Sequence, residues 1–193
     1  MFQPQLDDDA GDVVGALRRT FESVAGVLIA VPEYAGGMAG GVKNVLDWMV
    51  GSASLYHRPV AVVSAGTTGG PFAIEQTVRT LSWQGALVVD TLSIAAARTK
   101  VDAHGRVVDQ DTVDSIRRWA TSLVGETRTQ LGTLHPNHCI VAVTCGSSVE
   151  RYRARSARVL AGCVWAGPGR RAMSRRLEII AAGGASHPGL SGG

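Results

Sequence analysis

Gly26–Trp48 reads G-V-L-I-A-V-P-E-Y-A-G-G-M-A-G-G-V-K-N-V-L-D-W, and three patterns follow one another in it. Val27, Leu28, Ile29 and Val31 form a short apolar run with β-branched content, the pattern of a strand covered on both faces. Pro32 stops the run, because proline has no N–H for a sheet ladder. Val42, Val45, Leu46 and Met49 then recur at helical spacing. Between strand and helix stands Glu33-Tyr34-Ala35-Gly36-Gly37. A Gly-rich loop at the carboxyl end of a parallel strand exposes backbone N–H groups to a ligand. The same composition also suits a plain strand–helix turn that needs positive φ.

The alternation continues on both sides. Pro59–Ser64 is a second apolar strand, and its Gly-rich exit, Ala65–Gly70, leads to a helix opening at Pro71, a favourable first-turn position. Ala86–Val89 reads as a third strand. Upstream, Asp12 caps a first helix with Val13, Val14, Leu17, Phe21 and Val24 along one face, and Gly26 ends it. The helix after the first loop ends near Gly51. Val101–Val108 holds a D-A-H-G-R turn, followed by a helix from about Asp111 to Val124 with Val113, Ile116, Ala120 and Leu123 on one face. Strands separated by helices imply parallel βαβ units with right-handed crossovers. Ligands in such sheets bind at strand carboxyl ends, so the loops at 33–41 and 65–70 are expected side by side.

Pro32–Trp48 resembles the P-E-Y-N-G-S-x-P-G-x-L-K-N-x-L-D-W signature of the NADPH-dependent FMN reductases, a family of flavodoxin-like quinone, azo and flavin reductases. Pro32, Glu33, Tyr34, Gly36, Gly40, Lys43, Asn44, Leu46, Asp47 and Trp48 match without a gap. Ala35 stands where the family usually has Asn, Gly37 where it often has Ser, and Ala39 where it has Pro. The resemblance continues through Pro59–Gly70 and fades after Val124. It implies a flavodoxin-like three-layer α/β sandwich with a parallel sheet over residues 1–124. It also implies FMN, and NADPH or NADH, as cofactors, with hydride passing through FMN to a small-molecule electron acceptor. The implied flavin contacts are Pro32, Glu33, Tyr34, Ala35 and Gly36 at the polar edge of the ring, with Tyr34 beside it. Ser64, Ala65, Gly66, Gly69 and Gly70 are the implied floor beneath the ring. No catalytic acid, base or nucleophile is implied, since hydride transfer is the cofactors' chemistry. The resemblance further implies a homo-oligomer, dimer or tetramer, formed through the helix after the signature loop. Lys43 and Asn44 then support the loop or a subunit contact, and Trp48 the core or a dimer interface.

One part of the family pattern is out of place. The family sheet begins with a strand feeding a phosphate loop that resembles G-S-x-R-x-x-S-x-N. Here 25 residues precede Gly26, and they hold one helix and no such loop. The expectation is an N-terminally truncated domain, lacking the edge strand and the neighbour of the signature strand in the order 2-1-3-4-5. Flavin binding would then be weak, and a rival function arises: a catalytically silent flavodoxin-like fragment acting as a subunit or binding module. An alternative is a permuted replacement. Strand 139–144, the turn C-G-S-S and an Arg-bearing helix imitate the missing unit, with N–H groups at Ser147–Val149 and Arg151 for a phosphate.

Residues 125–193 are read as an irregular, partly disordered Arg/Gly-rich extension. From 133 onward there are eight Arg, no Lys, no Asp and two Glu, a composition foreign to the rest of the 193-residue chain. His138–Cys145 is a plausible strand, Ser147-x-x-Glu150 a capping box for a helix from Val149 to about Leu160, and the text beyond Gly162 suits loop or disorder. His135, His138, Cys139 and Cys145 match no structural zinc spacing, so no metal is expected. Arg151–Arg158, with Arg170, Arg171, Arg175 and Arg176, has few aromatic partners and no motif, which argues against nucleic acid and for a solvated face. An altered reading frame or a fused remnant would also give such a composition. No stretch approaches the roughly 20 apolar residues of a transmembrane helix, and the acidic N-terminus has no signal-peptide pattern. A cytoplasmic protein with reduced thiols and no membrane partner is expected.

Overall fold

The apolar run of the signature forms β1 (Gly26–Ala30), the middle strand of a five-stranded parallel sheet. The structure is a computed structural model and describes residues 1–7, 11–131, 140–144 and 179–181. β2 (Glu33–Tyr34) and β3 (Gly37–Met38) make a small antiparallel hairpin after β1. β4 (Pro59–Ala65) pairs with β1, and β5 (Leu87–Ile94) pairs outside β4. β6 (Ile140–Thr144) pairs with the other side of β1, and β7 (Ile179–Ala181) lies outside β6, giving the order β5-β4-β1-β6-β7. The helices are α1 (Gly11–Ser23), α2 (Gly40–Trp48), α3 (Pro71–Trp83) and α4 (Gln110–Leu131).

Strand alternation sorts the core into two layers around the sheet. Val27, Ile29 and Val31, with Val60 and Val62, pack with Phe21 of α1, Val42, Val45 and Leu46 of α2, and Ala73 and Leu81 of α3. Leu28 and Ala61 face the other way, onto Trp119, Ala120 and Leu123 of α4. Both faces of β1 are covered, which is why its sequence is a continuous apolar run. The fold is therefore the three-layer α/β sandwich expected. The expected strands at 27–31, 60–64 and 86–89 lie in one parallel sheet.

The vacancy expected beside β1 is filled. β6 runs parallel to β1 in unbroken register, from Gly26↔Ile140 to Ala30↔Thr144. The strand position beside β1 is thus taken by a strand from after α4. An apolar central strand with a bare edge would be a template for aggregation, and the apolar run I-V-A-V-T covers it. β7 corrects a second expectation: within the Gly-rich text beyond Gly162, the β-branched pair Ile179-Ile180 is a strand against Val143 and its neighbours. The sheet and α4 also extend past Val124, so part of 125–193 belongs to the same sandwich.

Four local expectations are corrected. Gly26 does not end α1, which stops at Ser23; it lies in β1, where a Cβ would come within 2.8 Å of Thr127 Cγ2 and 3.2 Å of Leu123 Cδ1 of α4. The glycine is there for close helix–sheet approach. Asp12 sits inside the first turn of α1 rather than ahead of it, and Val13 is 84% exposed, off the buried face. β5 is twice as long as expected, because as an outer strand it alternates polar and apolar residues instead of running apolar throughout. α4 begins at Gln110, capped by Asp109, whose Oδ1 accepts the Thr112 N–H at 3.0 Å. The hydrogen bonds from Thr112 hold the Asp109 carboxyl below its usual range.

Trp119, unremarked in the sequence pattern, donates its indole N–H to Val62 O at 3.1 Å and so satisfies a buried donor. The turn after Val101 is an antiparallel bridge to Val107, with Asp102 Oδ1 accepting the His104 and Arg106 N–H groups. His135, His138, Cys139, Cys145, the Ser147–Glu150 box and the Arg-rich run lie outside the described residues. Among the described residues no helix is long and apolar enough to cross a membrane.

Candidate functional site

Because β1, β4, β5 and β6 are parallel, with one register shift between β4 and β5 at Val60/Ala61, their carboxyl ends share one edge of the sheet. Two loops stand there. The first is the hairpin, closed by the pairs Glu33↔Met38 and Tyr34↔Gly37. Its two central residues, Ala35 and Gly36, have φ of 50° and 72°, the left-handed pair that a tight hairpin of this hand requires. Tyr34 is 63% exposed, and Ala35 and Gly36 are exposed beside it. A Cβ on Gly36 would meet nothing within 4 Å, so the turn faces open space. Pro32 is half-buried at the base, where its carbonyl accepts the Ala39 N–H at 3.3 Å.

Ala35 is the unfavourable member of this turn, since a left-handed conformation strains alanine and suits Asn. Ala35→Asn is expected to stabilise the protein by up to about 1 kcal/mol. A urea midpoint that falls instead of rising would contradict it.

The second loop follows β4. Ser64 is buried, Ala65 is exposed, and the Gly66 N–H donates to Ile94 O at 3.1 Å. Gly69 and Gly70 are buried with φ of 85° and 67°. Their missing side chains serve packing: a Cβ on Gly69 would overlap Ser93 Oγ, and one on Gly70 would overlap Ser64 Oγ and come within 2.7 Å of Ser64 Cβ. Among the described residues, Ser64 Oγ has no hydrogen-bond partner. The exposed N–H groups of Ala35, Gly36, Thr67 and Thr68 likewise donate to no backbone carbonyl or side chain there.

The two loops are one body. Glu33 Oε2 accepts the N–H groups of Phe72 at 2.9 Å and Ala73 at 3.1 Å, at the start of α3. Gln76 Oε1 of α3 accepts the Met38 N–H at 2.9 Å. Sequence reasoning placed Glu33 among the ligand contacts and overlooked Gln76. A signal for Glu33 was present: the residue ahead of Pro71 is glycine, so α3 has no capping side chain of its own.

The rest of the signature supports α2. Lys43 pairs with Asp47 at 2.5 Å, Asn44 Oδ1 accepts the Phe2 N–H, and Trp48 is buried with the Phe2 ring edge-on at 5.0 Å. Trp48 is therefore a core residue in this chain. What the edge offers chemically is a set of N–H donors uncommitted among the described residues, the exposed rings of Tyr34 and Phe72, and two glycine turns. Among the described residues, no group of three acidic, His or Cys side chains could hold a metal ion.

The family model described as NADPH-dependent FMN reductase matches residues 2–100. A 2-hydroxy-1,4-benzoquinone reductase of Burkholderia is 26% identical over 119 residues, covering 58% of this chain and 65% of that protein. A quinone reductase of Escherichia coli K12 is 31% identical over 119 residues, 58% of this chain and 63% of that protein. An NADPH azoreductase of Bacillus is 29% identical over 129 residues, 63% and 70% of the two chains. The chain thus spans less than two thirds of the length of the first two. Among solved structures, FerB, a flavoenzyme NAD(P)H:(acceptor) oxidoreductase from Paracoccus denitrificans, superposes with a TM-score of 0.58 at 25% identity. That match covers 66% of this chain and 74% of FerB.

Proposed function

Because the chain belongs to the NADPH-dependent FMN reductase family, we propose that it is an NAD(P)H-dependent oxidoreductase that reduces a small-molecule acceptor, a quinone, azo compound or flavin, by way of FMN. The observation that carries this is the pair of locked loops at one sheet edge, with exposed N–H groups at Ala35, Gly36, Thr67 and Thr68 left without protein partners among the described residues. Those donors fit the polar edge of a flavin ring, which carries negative charge when reduced. FMN, when bound, supplies the hydride chemistry. The chain's own residues bind and orient: Pro32, Glu33, Tyr34, Ala35 and Gly36 form one wall, and Ser64, Ala65, Gly66, Gly69 and Gly70 the other. The hydrogen bonds between the two loops hold the walls in place for a dinucleotide to approach.

The phosphate of FMN needs several donors at a strand end. β6 ends beside β1 at the edge that carries both loops, and Cys145-Gly146-Ser147-Ser148 follow it in sequence. This segment, with Arg151, is the proposed phosphate-binding element. The silent-fragment alternative rests on a missing phosphate loop; β6 beside β1, at a strand position expected empty, speaks against the truncation behind it. Residues 1–124 form the family domain in this proposal, completed by two strands from the C-terminal part. A homodimer or tetramer and a cytoplasmic setting are proposed with it.

Flavin titration by fluorescence quenching tests the binding, and FMN-dependent NADPH oxidation with a quinone tests the activity. FMN is expected to bind at least about tenfold tighter than riboflavin, the effect of one charge-assisted hydrogen bond to phosphate. A colourless protein that stays inactive with excess FMN would sink the proposal. Equal binding of the two flavins would remove the phosphate element from it.

A further inference from the structure

α3 starts with three devices that seldom coincide. Its N-cap is Gly70, at φ 67° and with no side chain to accept a hydrogen bond. Its first N–H groups are nonetheless satisfied, by a carboxylate from another element, at 2.9 and 3.1 Å. Behind the cap, the Ser64 hydroxyl is 2% exposed as a residue and has no partner among the described residues, so it gives no substitute acceptor. Thr68 Oγ1, on the second loop, also reaches Glu33, at 3.5 Å. Among the described residues, the acceptor that holds the second loop and the first turn of α3 to the hairpin is therefore the Glu33 side chain. On the far side, Gln76 returns the tie by accepting the Met38 N–H.

A helix N-terminus attracts anions through its free N–H groups and its dipole. Here that place is taken by the protein itself. We propose that Glu33 is a positioning residue: its carboxylate is the internal anion of the α3 N-terminus, sets the second loop against the hairpin, and closes that N-terminus to a ligand phosphate. Its side chain then contributes to flavin binding through the loop geometry and not by contact with the ring. This second half rests on the flavin reading given above. The arrangement also explains why glycine is acceptable at the cap, since the acceptor comes from 37 residues earlier in the chain.

The test uses the full chain as wild type, Glu33→Ala and Glu33→Gln, each with and without sodium formate at constant ionic strength. Two readouts are taken, amide hydrogen exchange at Phe72 and Ala73 and the affinity for FMN. Glu33→Ala is expected to speed exchange at both amides and to weaken FMN about tenfold or more. Formate, a free carboxylate, is expected to restore both and to leave the wild type unchanged. Glu33→Gln keeps a carbonyl oxygen for both N–H groups and is expected within about threefold of wild type. Unchanged exchange in Glu33→Ala would overturn the clamp. A loss of affinity that formate does not restore while it restores exchange, or a Gln variant weakened more than about tenfold, would show direct contact with the ligand and overturn the positioning role. Wild type that binds no flavin overturns the flavin reading alone, and the exchange data still decide the clamp. Where Glu33→Ala does not fold, Glu33→Leu, which keeps the side-chain stem and removes the acceptor, is read in its place with the same outcomes.

Discussion

Gly70→Ala is expected to lower stability by about 2–5 kcal/mol. Two effects combine. Gly70 has φ 67°, where an L side chain is strained by roughly 1–2 kcal/mol. The new methyl would also overlap Ser64 Oγ, stand 2.7 Å from Ser64 Cβ, and lie 3.5 Å from Glu33 Cβ. The Ser64 Cβ has little room to give way, because Ser64 lies within β4, paired with Ser93 of β5. The loop must move instead, and with it the N–H groups of Phe72 and Ala73 that Glu33 holds. Flavin binding is therefore expected to fail along with stability. Two controls separate the effects. Gly36→Ala has the strain, at φ 72°, but meets nothing within 4 Å, so only about 1–2 kcal/mol is expected from it. Ser64→Gly combined with Gly70→Ala removes the overlap and should recover the difference. A Gly70→Ala urea midpoint equal to that of Gly36→Ala would refute the packing account.

The second-loop glycines show how much of the site could be read in the sequence. That the segment is a glycine-rich loop between a strand and a helix was legible from its composition and its place after an apolar strand. What the glycines are for was not, because Ser93 lies 24 residues away from Gly69 and on another strand. Glu33 is the same case: its sequence neighbours suggest a ligand contact, while its partners are at Phe72 and Ala73. The central strands and α2 were legible for the opposite reason. Burial on both faces of β1 and on one face of α2 is written locally, as an apolar run and as helical spacing. Gly26 was misread because a glycine between helix and strand looks the same whether it ends the first or admits a helix onto the second. The place of β6 was harder still. Sheet order is set by which edges meet, and the apolar run I-V-A-V-T carries no mark of its neighbour.

The place of β6 is also what makes the last expected result large. Ala142→Pro should destabilise the protein by about 2–4 kcal/mol, from a lost ladder bond and a buried carbonyl left without its donor. Ala142 is paired on both sides, with Leu28 of β1 and Ile179 of β7, so it lies in the interior of the sheet, where proline is excluded. The damage should not stay local. With β6 displaced, β1 becomes an edge strand whose residues Val27, Leu28 and Ile29 are buried, and such an edge is a site for aggregation. The proposed flavin site should respond selectively. The hairpin and the second loop hang on β1, β4 and α3, so riboflavin binding should weaken modestly in molecules that remain folded. The phosphate element proposed after Thr144 would lose its anchor, so FMN should fall to the affinity of riboflavin. Urea unfolding with paired FMN and riboflavin titrations measures both effects. Were residues 125–193 an extension outside the fold, Ala142→Pro would leave the unfolding midpoint and the flavin preference where they were. A shift in the midpoint with the FMN preference intact would instead keep β6 in the sheet and move the phosphate donors elsewhere.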